Sequence, residues 1–431
     1  MRAPNDEPVA AERAQPGVWP RVHRLRRRLA GPIERFLAIE AASGIVLLAV
    51  ALLALAWANS AWAPSYHALW HAPLGVSLGG WHFERALHFW VNDGLMTLFF
   101  FVVGLEIRRE MHAGELSELK RAALPIAAAL GGMLVPAAIY LALNYGRSTA
   151  RGWGIPMATD IAFAVGVLAL LGARVPPALR VLLLALAVID DVGAIVVIAL
   201  FYSSGLEPAG FVWVGAGVAA IYVMQGAGVR NALAYVLPSF AVWAGAYEAG
   251  IHPTLAGVAV GLLTPIRAWD GEQESPVERL ERQLHGSVAY VVMPLFAFAN
   301  AGVPLGSVSL AGDGIFVFLG VTLGLALGKP IGIVATSLAS ARTGFTRIPR
   351  GAGGPGLIVV GLTGGVGFTM SLFVAGLAFP PGPALETAKL AILVGSTVAG
   401  VTGYLVGRAA LGSRVPGTAA TESEAEASTE T

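Results

Sequence analysis

The sequence predicts an all-α polytopic membrane protein with about twelve transmembrane helices, an inverted-topology repeat and two broken, crossing helices in spans 4 and 11. Three observations support this fold class. The chain of 431 residues is 56% hydrophobic and only 13% charged, and mostly apolar runs of about 18 residues or more recur along it. Its Lys and Arg residues are concentrated in alternate loops between these runs. Two of the runs are interrupted near the middle by glycine, proline and hydroxyl residues.

Polar segments flank the apolar region at both ends. Residues 1–30 contain an arginine cluster and are predicted to form a disordered, basic cytoplasmic arm, since the first apolar run is too long for a cleavable signal. Residues 412–431, rich in Ala, Ser, Thr and Glu, are predicted to form a disordered, acidic cytoplasmic tail. Residues 31–411 form the predicted transmembrane domain. The sequence has no cysteine, which excludes disulfides and thiol chemistry.

The predicted spans follow the apolar runs. They lie at residues 37–58, 89–107, 122–143, 153–172, 181–202, 209–225, 231–247, 251–264, 286–303, 313–338, 355–379 and 385–408. An even number of spans places both termini on the same side of the membrane. When that side is the cytoplasm, 23 of the 28 Lys and Arg residues lie there, four lie outside and Lys329 lies within a span. This asymmetry is typical of the cytoplasmic loops of membrane proteins.

The longest predicted outer connection, residues 59–88, is rich in tryptophan, tyrosine and phenylalanine. Such aromatic side chains favour the membrane interface. Within this connection, residues 75–83 are typical of a short β-hairpin that turns at Gly79 and Gly80.

Two predicted spans are interrupted at membrane depth. In span 153–172, Pro156 cannot donate a backbone hydrogen bond and lies just before Thr159 and Asp160. In span 355–379, residues 361–371 include four glycines and three hydroxyl side chains. Irregular backbone in a membrane persists only where it is buried in protein or lines a wet cavity. The pair of interruptions therefore predicts a transporter binding site.

Each interrupted span is the middle of a triplet, and the triplets 122–202 and 313–408 begin on opposite sides of the membrane. This is the relation that an inverted repeat requires. Crossed broken helices would bring their partial positive ends together and their partial negative ends together. We expect Asp160 to offset the positive pair and Lys329 to offset the negative pair. The alternative is that Pro156 and the glycines only allow close helix packing.

Asp190 and Asp191 lie in the middle of an apolar run. An ionisable residue in a span costs about 2.5–3.5 kcal/mol on insertion scales and is a functional candidate by default. Neighbours on a helix point about 100° apart, so one aspartate can face an aqueous cavity while the other faces a partner such as Lys329. Two close carboxylates can bind a small hard cation when ionised and protons when not. Na⁺ and H⁺ would then compete for one site.

Lys329 lies too deep in its span to reach the surface with ease. It is either a purely structural counter-ion or an ion pair that protonation breaks, and the two interpretations are compatible. Weaker candidates are Asp93, Glu106, Glu110, His252, Glu281 and His285. Solvated positions near membrane edges explain Asp93 and Glu110, while Glu106 belongs to a cytoplasmic funnel or forms an ion pair with a neighbouring arginine. The histidines can titrate near neutral pH but are also typical of interfacial positions.

The sequence contains no metal-ligand cluster, phosphate-binding loop or nucleophile triad. We therefore expect no enzyme activity, no cofactor and no nucleic-acid partner. A Na⁺-coupled solute symporter with inverted repeats remains an alternative. An intramembrane aspartyl protease also needs two membrane carboxylates, but it should carry them on separate helices, one of them in a Gly-x-Gly-Asp motif that this chain lacks within its spans.

Several motifs together resemble those of the NhaA family of bacterial Na⁺/H⁺ antiporters. They are Gly-Leu-Glu at 104–106, Ala-Thr-Asp-Ile-Ala-Phe at 158–163, Ile-Asp-Asp-Val-Gly-Ala-Ile at 189–195, Leu-Phe-Ala-Phe-Ala-Asn-Ala-Gly at 295–302, Gly-Lys-Pro-Ile-Gly at 328–332 and Gly-Phe-Thr-Met-Ser at 367–371. The resemblance runs in order from about residue 35 to residue 410 and leaves out the arm and the tail.

The resemblance implies a twelve-helix inner-membrane protein that exchanges internal Na⁺ or Li⁺ for external protons electrogenically, with more activity at alkaline pH, for pH and sodium homeostasis. It makes Asp190 and Asp191 the ion-binding pair, with Asp191 the more direct Na⁺ ligand. Asp190 would be the partner of Lys329 and a proton carrier, and Thr159 and Asp160 would line the crossing.

The same resemblance associates a group of residues with the response to pH: Glu106, Glu110, His252, Glu281 and His285. Pro253 follows His252 where alanine is common in the family, which alters the expected local geometry. The hairpin within residues 75–85 would be a contact in a homodimer. The implied partners are the transported ions, membrane lipid and a second copy of the chain.

Overall fold

The computed structural model describes residues 42–78, 81–203, 205, 207–269, 271–349 and 353–412. The predicted arm at 1–30 lies outside these residues, as does the predicted tail from residue 413 onward. The described chain is mostly helical, with a single two-stranded sheet among the described residues.

The helices are numbered here in chain order through the described residues. They are α1 (Ala42–Ala58), α2 (Ala63–His71), α3 (Leu87–Ala113), α4 (Leu119–Asn144), α5 (Ser148–Met157), α6 (Ile161–Leu171), α7 (Pro177–Phe201), α8 (Pro208–Gly226), α9 (Val236–Glu248), α10 (Thr254–Leu263), α11 (Pro276–Ser287), α12 (Met293–Asn300), α13 (Asp313–Arg342), α14 (Gly354–Gly364), α15 (Phe368–Ala378) and α16 (Pro383–Ala410).

Several of these helices depart from α geometry. The π-helical segments are Trp90–Leu95 within α3, Val288–Val292 between α11 and α12, and Gly324–Gly328 within α13. Short 3₁₀ segments are Glu115–Ser117, Gly172–Arg174, Ala232–Tyr235 and Leu305–Ser307, and α5 is itself a 3₁₀ helix. Such segments often lie at functional sites or hinges.

Six helices of the described chain (α3, α4, α7, α8, α13 and α16) are long and apolar enough to cross a membrane, or up to nine spans if each bent pair is one span. The protein is therefore a mostly helical, multi-pass membrane protein. Every predicted span overlaps a helix or a bent pair. The total of twelve stays a prediction, because α9 and α10 have 13 and 10 residues, fewer than the about 20 that a span needs.

Both predicted interruptions are present as bent pairs of helices. The axes of α5 and α6 differ by 42°, and those of α14 and α15 differ by 47°. In the first pair the regular helix resumes only at Ile161, after Pro156. In the second pair the break coincides with the glycine cluster that ends α14.

The predicted hairpin is confirmed. Strands β1 (Pro73–Leu78) and β2 (Trp81–Ala86) pair antiparallel, with Val76 opposite Phe83. The predicted turn at Gly79 and Gly80 lies outside the described residues. The hairpin is attached to the helices by the Arg85 guanidinium, whose Nη2 donates to the Tyr247 hydroxyl of α9 at 2.7 Å.

Small residues bring the central helices close together. A Cβ added to Gly332 of α13 would lie 2.0 Å from the Gly131 carbonyl oxygen of α4. A Cβ added to Gly324 would lie 2.7 Å from the Pro156 ring. These contacts need residues without side chains, as is common where membrane helices pack closely. They hold α13 against α4 and against the first bent pair.

Candidate ion-binding site

The two bent pairs contact each other at their breaks. The Asp160 backbone N–H donates to the Val366 carbonyl at 2.8 Å, and the Thr159 hydroxyl donates to the Gly364 carbonyl at 3.0 Å. From the other side, the Ser371 hydroxyl donates to the Ile155 carbonyl at 2.8 Å. Each bent pair of helices therefore forms hydrogen bonds to backbone groups that the break leaves free in the other bent pair. Irregular backbone is tolerated in a membrane when its polar groups are satisfied in this way.

The Asp160 carboxylate lies between two helix N-termini. It is the N-cap of α6, where Oδ1 accepts from the Phe163 backbone N–H at 3.1 Å. Oδ2 accepts from the Thr369 backbone N–H in the first turn of α15 at 3.1 Å, and also from the Thr369 hydroxyl. A carboxylate is stabilised by unpaired N–H groups and by the partial positive charge of a helix N-terminus. One buried side chain thus compensates both positive ends.

Lys329 lies fully buried directly after the π-helical segment of α13. Its ammonium group donates to Asp190 Oδ2 at 2.5 Å and also to the Met157 carbonyl, at the C-terminal end of α5. The ammonium therefore compensates one of the two partial negative helix ends. At the other end, the Gly364 carbonyl accepts from Thr159. The prediction that Lys329 offsets both partial negative helix ends thus holds for the end of α5, which Lys329 contacts.

The two oxygens of Asp190 have different surroundings. Oδ2 accepts from Lys329 and, at 2.6 Å, from the Thr159 hydroxyl, which shares its one proton between this oxygen and the Gly364 carbonyl. Oδ1 is buried and has no hydrogen-bond partner among the described residues. A buried carboxylate oxygen without a partner carries a large desolvation cost. The atom is therefore suited to bind a cation or a proton.

Asp191 points in a different direction from Asp190, as their adjacency on α7 requires. It lines a cavity of about 60 Å³, which Thr159 and Asp160 also line. Glu106 of α3 and His285 of α11 line the same cavity. Acidic groups and hydroxyl oxygen from three separate segments thus share one small space, and hard cations prefer oxygen ligands of this kind.

Four of the five residues that the resemblance associates with the pH response lie together around Arg109. The Arg109 guanidinium donates to Glu281 Oε1 and lies 3.3 Å from Glu110 Oε1, and the charge of Glu106 also acts on it. His285 lies one turn from Glu281 on α11 and acts on it electrostatically. In the sequence, Arg109 is only a near neighbour of Glu106. Its central position could not be read from spacing, because Glu281 lies on a distant helix.

Glu281 is placed by the start of its helix. Ser275 and Glu278 form a capping box, in which the Ser275 hydroxyl accepts from the Glu278 N–H at 3.3 Å and the Glu278 carboxylate accepts from the Ser275 N–H at 2.9 Å. This motif fixes the beginning of α11. Burial raises the pKa of the Glu281 carboxyl above its ordinary value, and the charge of Arg109 opposes this effect.

His252 is not among the residues that line the cavity. Its Nε2 lies 3.4 Å from Asp93 Oδ1, and its Nδ1 is 2.8 Å from the Thr254 hydroxyl. The solvated positions expected for Asp93 and Glu110 are wrong, because their side chains are only 17% and 19% exposed, with Asp93 against His252 and Glu110 in an ion pair with Arg109. The Asp93 side chain is carried by the π-helical segment of α3, a local irregularity that the apolar pattern does not reveal.

Thr369 and Asn300, two residues of the motifs, make polar contacts that the sequence does not predict, and of these Thr369 contacts the site. Thr369 binds Asp160 through both its backbone and its hydroxyl group. Asn300 of α12 donates to Asn92 Oδ1 at 2.8 Å and lies 3.2 Å from His88 Nε2. An unexplained polar residue inside an apolar run was the available signal in both cases.

The chain is similar to known proteins over nearly its whole length. A family model described as Na⁺/H⁺ antiporter 1 matches residues 34–406. A curated protein of Sorangium cellulosum (strain So ce56), named Na(+)/H(+) antiporter NhaA 2, is 52% identical over 459 residues, which cover 97% of this chain and 98% of the relative. A protein of the same name from Myxococcus xanthus is 50% identical over 96% of this chain and 97% of the relative. The Na(+)/H(+) antiporter NhaA of Bordetella petrii is 47% identical over 95% of this chain and 96% of the relative.

Proposed function

Because this chain belongs to the NhaA family of Na⁺/H⁺ antiporters, we propose that it exchanges cytoplasmic Na⁺ or Li⁺ for external protons. The exchange is electrogenic, rises at alkaline pH and serves pH and sodium homeostasis. The protein lies in the bacterial inner membrane with both termini in the cytoplasm. The observation that carries the proposal is the buried Asp190–Lys329 ion pair, adjacent to a second carboxylate that lines a cavity.

In this proposal Asp191 is the first ligand of the entering cation, because it lines the cavity that Glu106 and His285 also line. The Asp190 Oδ1 atom, which has no partner among the described residues, and the Thr159 hydroxyl complete an oxygen-rich site. Asp160 lines the cavity as well, but both of its oxygens hold helix N-termini. Its role is to keep the crossing intact and electrically balanced.

The charges at the site support electrogenic exchange. Trading one Na⁺ for one proton moves no net charge, so an electrogenic antiporter must carry more than one proton for each Na⁺. Asp191 supplies one titratable position, and the Asp190–Lys329 pair supplies another, because either member can gain or lose a proton when the bond between them opens. Cation binding to Asp190 weakens its attraction for Lys329 and so links Na⁺ entry to proton release.

Alternating access is proposed to occur around the two breaks. The segments 122–202 and 313–408 act as inverted repeats with α5–α6 and α14–α15 as their broken middles. Their mutual hydrogen bonds involve only a few backbone and hydroxyl groups, so the half-helices can tilt with few bonds changed. The cavity of about 60 Å³ favours an ion over an organic solute, since sites for such solutes are commonly about 300 Å³ or larger.

The hairpin of β1 and β2 is proposed to mediate a homodimer. A two-stranded sheet keeps one edge of each strand available for pairing with another chain. Replacing residues 75–84 with a short Gly-Ser linker should convert the purified protein from dimer to monomer in light scattering. A dimer that survives this replacement would exclude the hairpin as the main contact.

The test of the function is Na⁺-induced proton movement in energised inverted vesicles, followed with a ΔpH dye from about pH 6.5 to about pH 8.5. Na⁺ or Li⁺, but not choline, should collapse the gradient, with a larger response at alkaline pH. Asp191→Asn should abolish the response, whereas Asp313→Asn, a 42% exposed carboxylate paired with Arg147 at the outer end of α13, should retain it.

The outcomes discriminate between functions. Full exchange in Asp191→Asn would refute the site assignment. No exchange in the folded, inserted parent protein would favour a Na⁺-coupled solute symporter. A rate that does not respond to a K⁺–valinomycin potential would refute electrogenicity but not exchange.

A further inference from the structure

A long apolar groove lies apart from the ion cavity, between α1, α6 and α16. Its volume is about 530 Å³. Leu48 and Leu52 of α1, Leu170 of α6 and Val401 of α16 line it, and each is about half exposed. In a membrane protein, side chains exposed on such helices face lipid rather than water. The groove is thus accessible from the hydrocarbon region.

The hydroxyl groups of Ser396 and Thr397 in the groove wall do not make it polar. The Ser396 hydroxyl accepts from the Phe368 backbone N–H at 3.0 Å, and the Thr397 hydroxyl donates to the Leu393 carbonyl at 2.7 Å. Because these groups already have partners, they offer little to a polar ligand. The wall therefore fits a hydrocarbon chain.

The dimensions of the groove match a single acyl chain. Its lining residues on α16 run from Leu393 to Tyr404, which is about 17 Å at 1.5 Å per residue. One leaflet of a bilayer has about 15 Å of hydrocarbon.

Arginines lie at one end of the groove, on the predicted cytoplasmic side. Arg408 follows Tyr404 by four residues on α16, and Arg174 ends the 3₁₀ turn Gly172–Arg174 directly after α6. The two ends are in contact, because a Cβ added to Gly407 would lie 2.4 Å from the Leu171 side chain. Among the described residues, no carboxylate forms an ion pair with either arginine.

We propose that this groove binds one anionic phospholipid, with an acyl chain along α16 and the phosphate group at Arg174 and Arg408. Basic pockets between membrane helices on the cytoplasmic side are suited to anionic headgroups, and Arg matches phosphate geometry well. The apolar wall and the two guanidinium groups are thus complementary to the two parts of one molecule.

The bound chain contacts the back of the helix crossing. Val366, within the break between α14 and α15, and Phe368, the first residue of α15, both line the groove. The Val366 carbonyl accepts from the Asp160 N–H, and the Phe368 ring packs against the Phe163 ring with centroids 4.9 Å apart. The lipid therefore packs against the same backbone that holds Asp160 in place.

The experiment uses the full-length protein, purified in detergent and incubated with phosphatidylglycerol that carries a photoreactive diazirine in one acyl chain. Mass spectrometry of digested protein should locate labels on the groove-lining parts of α1, α6 and α16. Unlabelled phosphatidylglycerol should compete better than phosphatidylcholine.

Matched substitutions on α16 test the location. Val401→Phe places a ring in the groove and should largely remove the labelling. Val398→Phe makes the same change at a 44% exposed position that does not line the groove, and should label like the parent protein. Gel filtration and thermal unfolding show whether both variants are folded.

Charge variants test the headgroup without altering the core. Arg174→Gln and Arg408→Gln should each lower the affinity for phosphatidylglycerol by about fivefold and leave phosphatidylcholine competition unchanged. Arg342→Gln, an exposed arginine at the end of α13, is the control and should have no effect. These surface changes keep the test decisive if Val401→Phe does not fold.

Three results would overturn the proposal. The first is equal labelling of Val401→Phe and Val398→Phe when both are folded. The second is equal competition by the two lipids in the parent protein. The third is labelling that appears only after deletion of residues 2–30, which would make the chain's own N-terminal segment the occupant.

Discussion

The buried ion pair between Lys329 and Asp190 allows a quantitative prediction that separates its structural role from transport. The side chains are 0% and 1% exposed, with Nζ and Oδ2 2.5 Å apart. Removing one member of a buried pair leaves an uncompensated charge and typically costs about 3–5 kcal/mol, whereas replacing both with neutral groups costs far less. Lys329→Met retains an unbranched side chain of similar volume, so the added packing cost is small.

We therefore expect Lys329→Met and Asp190→Asn each to lower the free energy of unfolding by about 3–5 kcal/mol, and the double variant to lose at least about 3 kcal/mol less than the sum of the two. Arg121→Met removes an exposed pair with Glu118, 61% and 59% exposed, and should change stability by less than about 0.5 kcal/mol.

The assay is reversible unfolding of the purified protein in mixed micelles, followed by circular dichroism. Additive losses in the double variant would refute the conclusion that the pair is coupled in the folded state. A destabilisation in Arg121→Met as large as in Lys329→Met would show that the assay reports general damage rather than buried charge. Exchange measured in the refolded double variant then tests transport separately, and it should be absent.

Other residues give further predictions. Asp160→Asn removes the charge shared by the N-termini of α6 and α15, and should lower stability by about 1–2 kcal/mol; an unchanged thermal midpoint would contradict this. Because burial raises the pKa of Glu281, the stability that its neutral form contributes is present at acid pH and lost as pH rises through the raised pKa. Glu281→Gln keeps the neutral form, so we expect a flatter pH dependence of stability and a weaker alkaline rise of exchange in the vesicle assay. Glu274→Gln, on an exposed carboxylate paired with Arg282, should leave both profiles as they are.

The features that the sequence predicted well have local physical causes. Pro156 and the glycines before Phe368 disfavour continuous helix wherever they lie, so both breaks could be located from the chain alone. Asp190 and Lys329 could be paired across 139 residues because a buried ion needs a counter-charge and few candidates are available. The cavity side of Asp191 followed from helix geometry once Asp190 had a partner.

The features that were missed depend on contacts between distant segments. No spacing rule links Arg109 to Glu281, and the pairing of Asp93 with His252 depends on how α3 packs beside α10. The contact of Thr369 with Asp160 likewise joins segments that are far apart in the sequence. Hydropathy patterns report which face of a helix is apolar, but not which helix covers it. The shortness of α10 shows the same limit, since composition predicted a span where the regular helix has only ten residues.

The ion site and the lipid groove share one structural element, the break between α14 and α15. The Val366 carbonyl and the Thr369 N–H hold Asp160 on one side, and the side chains of Val366 and Phe368 line the groove on the other. Closely packed interiors transmit displacement because they have little free volume. A chain that fills the groove therefore limits how far these residues can move when α14 and α15 tilt. The mobility of the crossing, which alternating access requires, thus depends on the lipid side of the protein as well as on the charges at the ion site.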